Sequence, residues 1–147
     1  MILFSLSEND FTPLGIEYTV VKIDLSNFES NKQHILTSIN NFNLEIEWNE
    51  MFTLEKASNR VFNNMRMYLG LIDSKVFGHV WFKDYKDGSY LFNLFVKNKA
   101  KTENYTGTKF TSDIINRFEN EYPIYANVDE WNEKSIKLFD RLGFKRN

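Results

Sequence analysis

Cysteine is absent from this chain of 147 residues. Its absence excludes a disulfide framework, a cysteine zinc site and a thiol nucleophile. Histidine occurs only at His34 and His79. Two isolated histidines without a paired carboxylate motif argue against a metal site, so we expect no metal. The pattern around His79, which alternates with Gly78 and Val80, favours a packed histidine over a catalytic one.

Long apolar runs are also missing. No segment approaches the roughly 20 apolar residues that a membrane helix needs. The opening MILFSLSENDF lacks the basic and apolar regions of a signal peptide. The formal net charge is only -2, and Trp48, Trp81 and Trp131 do not form a stacking series for bases. We therefore expect a cytoplasmic protein that uses neither a membrane nor a nucleic acid as its partner.

Aromatic residues, in contrast, are abundant. Hydrophobic residues make up 42% of the chain and aromatic residues 16%, with 14 phenylalanines. Such a composition is typical of a globular protein, and it predicts a core that is rich in rings. No linker or repeat interrupts the sequence. We expect one domain over residues 1–147, which is long enough to bury a core of its own.

The hydrophobic periodicity predicts a strand, two helices, three strands, a helix, a strand, a helix and a strand stub. In that order the predicted ranges are 16–25, 29–43, 53–65, 67–72, 76–82, 90–96, 108–122, 124–128, 132–142 and 144–147. The three central strands are almost continuously apolar, which favours an antiparallel meander covered on both faces. Strand 90–96, helix 108–122 and strand 124–128 are predicted to form a right-handed crossover, in which the two strands are parallel. Together these elements predict an α/β sandwich with a mixed sheet.

The loop 97–107, KNKAKTENYTG, has the chemistry of an anion site. The first amides of the helix that follows have no intrahelical acceptor, and the helix dipole adds positive charge there. Gly107 allows close backbone approach, and Thr106 and Thr108 offer hydroxyl groups. Four cations are nearby, Lys97, Lys99, Lys101 and Lys109. A phosphate cradle and an ordinary solvated basic loop both fit this pattern.

Three stretches together resemble one known family. They are KVFGHVWF (75–82), YLFNLFV (90–96) with the following YTGTKFTSDII (105–115), and ANVDEWNEKSIKLFDRLGF (126–144). In the last stretch Asn132, Gly143 and Phe144 stand at characteristic positions. The chain is identified by this pattern as resembling the GNAT family of N-acetyltransferases. The resemblance implies an α/β fold with a mixed, mostly antiparallel sheet, flanked by helices on both faces and truncated at the C-terminal strands.

The resemblance also implies a reaction, in which acetyl-CoA as cosubstrate donates an acetyl group directly to a primary amine. It implies a bulge near Phe95 and Val96, and a gap between strands 90–96 and 124–128 for the pantetheine arm. It places the amides of 105–109 at the pyrophosphate and Asn132 at the arm or the adjoining backbone. The residues expected at the cofactor are Phe95, Val96, Tyr105, Thr106, Gly107, Thr108, Lys109 and Asn132.

Several positions depart from the family pattern. Phe139 stands where the family has a tyrosine that protonates the leaving thiolate, and Tyr105 stands where the loop has a glycine. Strand 90–96 offers no carboxylate as general base. The catalytic residue is therefore unknown, with Glu47, Glu50, Tyr105 and Ser135 as the candidates.

The acceptor is expected to be an amine on a small molecule or a protein. In the family the connection after the first helix lines the acceptor pocket, so Glu45, Glu47 and Glu50 either hold a cationic amine or are simply solvated. Residues 144–147 leave an open strand edge, which favours a homodimer. The alternative function is a catalytically inactive GNAT-like binding or inhibitory protein that acts through a partner protein.

Overall fold

The computed structural model describes residues 1–46, 50–97, 105–119 and 121–147. Seven strands and four α-helices lie in these ranges. The strands are β1 (Ile2–Leu6), β2 (Thr19–Ile23), β3 (Arg66–Ile72), β4 (Lys75–Tyr85), β5 (Gly88–Val96), β6 (Ile124–Val128) and β7 (Lys145–Arg146). The helices are α1 (Lys32–Glu45), α2 (Leu54–Phe62), α3 (Thr106–Phe118) and α4 (Glu133–Leu142). Each of these helices is too short or too polar to span a bilayer.

The strands form one mixed sheet in the order β2-β3-β4-β5-β6-β1-β7. Every neighbouring pair is antiparallel except β5 and β6, which are parallel. Helix α3 connects these two strands, as the predicted crossover requires. The α/β class, the mixed sheet and the element order from β2 onward are therefore confirmed.

Helices cover both faces of the sheet, because the buried side chains of the central strands alternate between them. On β3, Met67 and Leu69 pack in the cluster with α1 and α2, whereas Tyr68 packs in the cluster with α3 and α4. The second cluster contains most of the phenylalanines. The expectation of a core rich in rings is confirmed.

The first strand is absent from the sequence prediction. Residues Ile2–Leu6 pair antiparallel with β6 along its whole length, from Ile2 opposite Val128 to Leu6 opposite Ile124. On its other side β1 pairs with the two residues of β7. The open edge was expected at residues 144–147, and the two residues of β7 do end the sheet on this side, with β1 as their partner on the other. A homodimer that uses this edge stays a prediction.

Strand β1 also closes the core beneath α4. The Phe4 side chain is fully buried, and its ring centroid lies 5.5 Å from that of Phe139. The buried Leu6 side chain belongs to the same cluster. Since α4 also provides part of the wall of the site described below, β1 helps to hold that helix in place.

We expect Phe4→Ala to lower the free energy of unfolding by about 3 to 5 kcal/mol, because it empties a large buried site. Chemical denaturation measures the change. Phe62→Ala is the matched control, since the Phe62 side chain is 71% exposed. Equal stabilities for the two variants would show that β1 is not part of the folded core.

Candidate active site

The central feature of the candidate site is the early end of the β5–β6 ladder. Only Ser89 with Ile124 and Tyr90 with Tyr125 are paired. Both strands continue beyond these pairs, β5 to Val96 and β6 to Val128. The strands therefore diverge, and the predicted gap between 90–96 and 124–128 is present.

A cavity of about 550 Å³ lies at the carboxyl end of β5, beyond the point where the two strands diverge. Its walls include Phe42 from α1 and Leu138 from α4, which cover opposite faces of the sheet. The cavity consequently reaches through the sheet at the gap. Its lining residues are Phe42, Ile46, Leu94, Phe95, Val96, Tyr105, Thr106, Gly107, Thr108, Asn132, Lys134, Ser135, Lys137, Leu138 and Arg141.

The residues predicted at the cofactor are brought together here, with one exception. Phe95, Val96, Tyr105, Thr106, Gly107, Thr108 and Asn132 all line the cavity. Lys109 does not, and its Nζ forms an ion pair with Glu17 at 2.8 Å. Lys99 and Lys101 lie outside the described residues.

The N-terminus of α3 opens into the cavity. The Lys109 amide donates to the Tyr105 carbonyl at 2.9 Å, which places the start of the helix at Thr106. The first amides of a helix have no acceptor in a preceding turn. Because the helix dipole adds partial positive charge at this end, the arrangement favours an anion. The described first turn of α3 also carries no acidic residue.

Tyr105 begins this helix in the left-handed conformation, with φ 58°. Glycine adopts this conformation most easily, which explains why the family pattern favours glycine there. The Tyr105 side chain is 59% exposed, and the Arg141 guanidinium lies 4.3 Å from its ring centroid. The tyrosine thus packs with a cation at the rim of the cavity.

Gly107 contributes to packing as well as to the cavity wall. A Cβ atom at this position would lie 3.1 Å from Cδ1 of Leu138. The absent side chain therefore lets α3 approach α4 closely. Both helices thereby contribute residues to the same wall.

Three cations on α4 were missed by the sequence analysis. Lys134, Lys137 and Arg141 line the cavity. Their spacing of three and four residues places them on one side of the helix, and this spacing was a usable sequence signal. These three side chains supply positive charge to the cavity whose wall also contains the α3 N-terminus. The sequence analysis had instead assigned the positive charge to the lysines of loop 97–107.

Asn132 caps the start of α4. The Asn132 side chain accepts a hydrogen bond from the Ser135 amide at 3.2 Å, and both residues line the cavity. Phe139 instead is buried against Phe4 and Phe144 and is not a lining residue. The position at which the family has a tyrosine therefore carries a core side chain here.

A second pocket of about 260 Å³ adjoins the cavity on the face covered by α1 and α2. Phe42 lines both spaces, and Asn93 and Leu94, adjacent in β5, line one each. The pocket is lined by Phe42, Glu50, Met51, Phe52, Lys56, Arg60, His79, Trp81 and Asn93. Two spaces that meet at one strand suit two substrates.

The bulge in β5 is displaced from its predicted position. Trp81 pairs with Asn93 and Phe82 pairs with Leu91, which leaves Phe92 as the extra residue. The prediction near Phe95 and Val96 was therefore wrong, although it named the correct strand. A bulge re-aims the side chains around it, and here it directly precedes Asn93, where the two spaces meet.

His79 lies in the wall of the second pocket. Its side chain is almost fully buried, and Nδ1 is 2.6 Å from Oγ of Ser38. Burial, and then the positive charge of Arg60, lower the pKa of His79 to about 3, while the Asn93 amide opposes this change. The ring is therefore neutral near pH 7. The interpretation of His79 as packed fits its burial, although the ring also contacts the pocket.

The candidate catalytic residues lie in different places. Ser135 lines the cavity, and Tyr105 stands at its rim. Glu50 lines the second pocket, where its carboxylate pairs with Lys56 at 3.2 Å. Glu47 lies outside the described residues. In the part of the chain that the structure describes, His, Asp and Glu side chains form no cluster that could hold a metal ion.

We expect the burial of neutral His79 to make folding stability depend on pH. The folded pKa of about 3 lies below the usual 6.5, so the unfolded chain binds more protons between these values. Stability is then lost as pH falls from 6.5 towards 3, by up to about 1.4 kcal/mol per pH unit. Denaturant unfolding at several pH values should show that the free energy of unfolding of His79→Gln falls less steeply with decreasing pH than that of the unaltered protein. His34→Gln is the control, and an unchanged slope for His79→Gln would contradict the assignment.

No protein-family model and no curated protein matches this sequence. The fold, however, matches solved acetyltransferases. A GNAT-family acetyltransferase from Bacillus cereus is 15% identical, with 89% of this chain and 84% of that chain covered and a TM-score of 0.62. A predicted acetyltransferase from Clostridium acetobutylicum, solved with acetyl-CoA, is 15% identical over 89% of this chain and 92% of that chain, with a TM-score of 0.59.

A third match is the PaiA N-acetyltransferase from Thermoplasma acidophilum, solved in complex with coenzyme A. It is 16% identical, with 88% of this chain and 90% of that chain covered and a TM-score of 0.58. At such low identity the likeness concerns the fold, and the three matches agree on it. The chain has the acetyltransferase fold of the GNAT family.

Proposed function

We propose that this protein transfers an acetyl group from acetyl-CoA to a primary amine. The observation that carries the proposal is the 550 Å³ cavity at the gap between β5 and β6, with the α3 N-terminus at its wall. Two of the similar structures were solved with acetyl-CoA or coenzyme A. A cavity that reaches through the sheet fits a long, narrow ligand with a charged end.

The donor side of the site combines charge with an apolar passage. The N-terminus of α3 at Gly107 and Thr108 and the α4 cations Lys134, Lys137 and Arg141 suit the phosphate groups. Leu94, Val96 and Leu138 provide apolar wall beside the gap. These residues hold the ligand at its two chemically different ends, so that its position along the cavity is fixed.

Acetyl-CoA, when bound, would supply a thioester carbonyl carbon that a neutral amine attacks directly. A C–N bond forms and the C–S bond breaks, the nitrogen gives up one proton to become an amide, and the leaving thiolate takes up one proton. The second pocket adjoins the cavity at Asn93 and Leu94 and would present the amine. Such positioning alone removes a large part of the barrier to a reaction between two molecules. Ser135 and Tyr105 are the hydroxyl groups of the cavity that could protonate the thiolate.

A binding or inhibitory protein with this fold but without catalysis is the second candidate. The burial of Phe139 against Phe4 and Phe144 favours it, because this side chain neither reaches the cavity nor carries a proton. Loss of one general acid typically slows a reaction by about 10²- to 10⁴-fold. The enzyme remains our proposal, because such a loss does not abolish acetyl transfer.

Calorimetric titration with acetyl-CoA, and with free CoA, tests the donor site. We expect micromolar binding of both. Ser135→Glu should weaken binding by at least about tenfold, since a carboxylate in the cavity repels the phosphates and fills space. The change suits the helix, because Glu three residues after an N-cap is favourable there.

The matched control is Ser58→Glu on the exposed part of α2, which should bind as the unaltered protein does. A panel of primary amines, with release of the CoA thiol as the readout, then tests transfer. Absence of binding at millimolar acetyl-CoA would overturn the enzyme proposal. Binding without thiol release from any amine would favour the second candidate.

A further inference from the structure

Arg60 is the feature of the second pocket that the proposed reaction leaves unused. Its guanidinium lies 4.5 Å from the ring centroid of Phe52, 5.1 Å from that of Trp81 and 5.6 Å from that of Phe92. Phe52 lies in the loop before α2, Trp81 in β4 and Phe92 in β5. Three aromatic rings from different parts of the fold therefore fix the position of the Arg60 guanidinium. Burial lowers the pKa of Arg60, yet an arginine remains charged at any physiological pH.

The charge of Arg60 is not balanced within the described residues. No carboxylate among them pairs with its guanidinium. The acid of the pocket, Glu50, is already paired with Lys56. His79 adds no charge, since its pKa is about 3. The described lining therefore carries a net charge of about +1, held beside aromatic walls where water screens it less than at an open surface.

Asn93 places a second polar group in the same pocket. Its side-chain oxygen is buried and meets no donor at hydrogen-bond distance, although the Asn93 side chain lies close enough to His79 to oppose the lowering of that residue's pKa. A buried amide oxygen can accept two hydrogen bonds, and a donor from a ligand would satisfy a free position. Asn93 adjoins Leu94 of the cavity, so an amine that donates to this oxygen would stand next to the donor site.

We propose that the acceptor is a small amine that also carries an anionic group, with Arg60 binding the anion and Asn93 accepting a hydrogen bond from the amine. This inference deepens the proposed function and rests on it. It replaces the expectation that Glu50 holds a cationic amine, because Lys56 already neutralises that carboxylate. The pocket volume of about 260 Å³ suits a small molecule of amino-acid type, and the aromatic walls suit an apolar body.

Pairs of amines that differ only in the anion test the proposal. L-phenylalanine with phenethylamine tests a carboxylate, and phosphoethanolamine with ethanolamine tests a phosphate. Calorimetry without acetyl-CoA measures their binding, so the result is independent of catalysis. We expect at least one anionic amine to bind about 10- to 100-fold more tightly than the matching amine that lacks the anion. This is the gain in affinity that one charge-assisted hydrogen bond to Arg60 would give.

Arg60→Gln should remove this preference, and Arg60→Lys should restore part of it because the charge returns. The double variant Glu50→Gln with Lys56→Gln removes the other ion pair of the pocket, leaves the net charge of the lining unchanged and should preserve the preference. Thermal unfolding of each variant checks that it is folded. Equal binding within both pairs, binding of none of the four amines, or an unchanged preference in Arg60→Gln would overturn the proposal.

The two proposals fail separately in these experiments. An Arg60-dependent preference without acetyl-CoA binding would support the anion site and overturn the enzyme. Acetyl transfer to amines irrespective of an anionic group would support the enzyme and overturn the anion site.

Discussion

The divergence of β5 from β6 is the constraint on which the rest of the site depends. Two residue pairs join these strands, and beyond them each strand must find other neighbours. Strand β5 stays paired with β4 along its length, and β6 stays paired with β1. The sheet therefore remains continuous although it is open at its centre. Helices α3 and α4 meet beside the opening and bring their N-termini to one cavity.

The sheet also separates two kinds of chemistry. The large cavity has helix N-termini and cations, which suit phosphate groups. The small pocket has aromatic walls, a neutral histidine and an arginine that no carboxylate of the described residues pairs with, and we propose that these suit a compact amine with an anionic group. Because both spaces meet at Asn93 and Leu94, the bulge at Phe92 affects both of them. A single irregularity in β5 thus sets how two ligands face one another.

Much of this arrangement could be predicted from the sequence. Hydrophobic periodicity located α1 to α4 and β2 to β6, because each has an apolar face with the period of its type. The cavity residues of β5, the α3 N-terminus and Asn132 followed from the family resemblance and from the anion chemistry of that helix end. Asn132 and Gly143, which flank α4, are residue types that favour a helix start and a helix end.

Other features have no local signal. Strand β1 has only five residues and is recognisable through its partners, β6 and β7. The bulge at Phe92 depends on the register between β4 and β5, which the turn between them sets. Arg60 looks like any helix surface cation until α2 packs beside Trp81 and Phe52. These properties arise from tertiary contacts, which a pattern along the chain does not encode.

The position of β1 has a consequence for how the chain reaches its native state. This strand is synthesised before the other strands described, whereas its partners on both sides, β6 and β7, follow it by more than a hundred residues. Pairing across such a sequence separation is slow, and it must wait until those residues have left the ribosome. The meander of β3, β4 and β5 can form before that, while the wall beneath α4 is completed later. Assembly of the cavity is thus coupled to the emergence of residues 124–146.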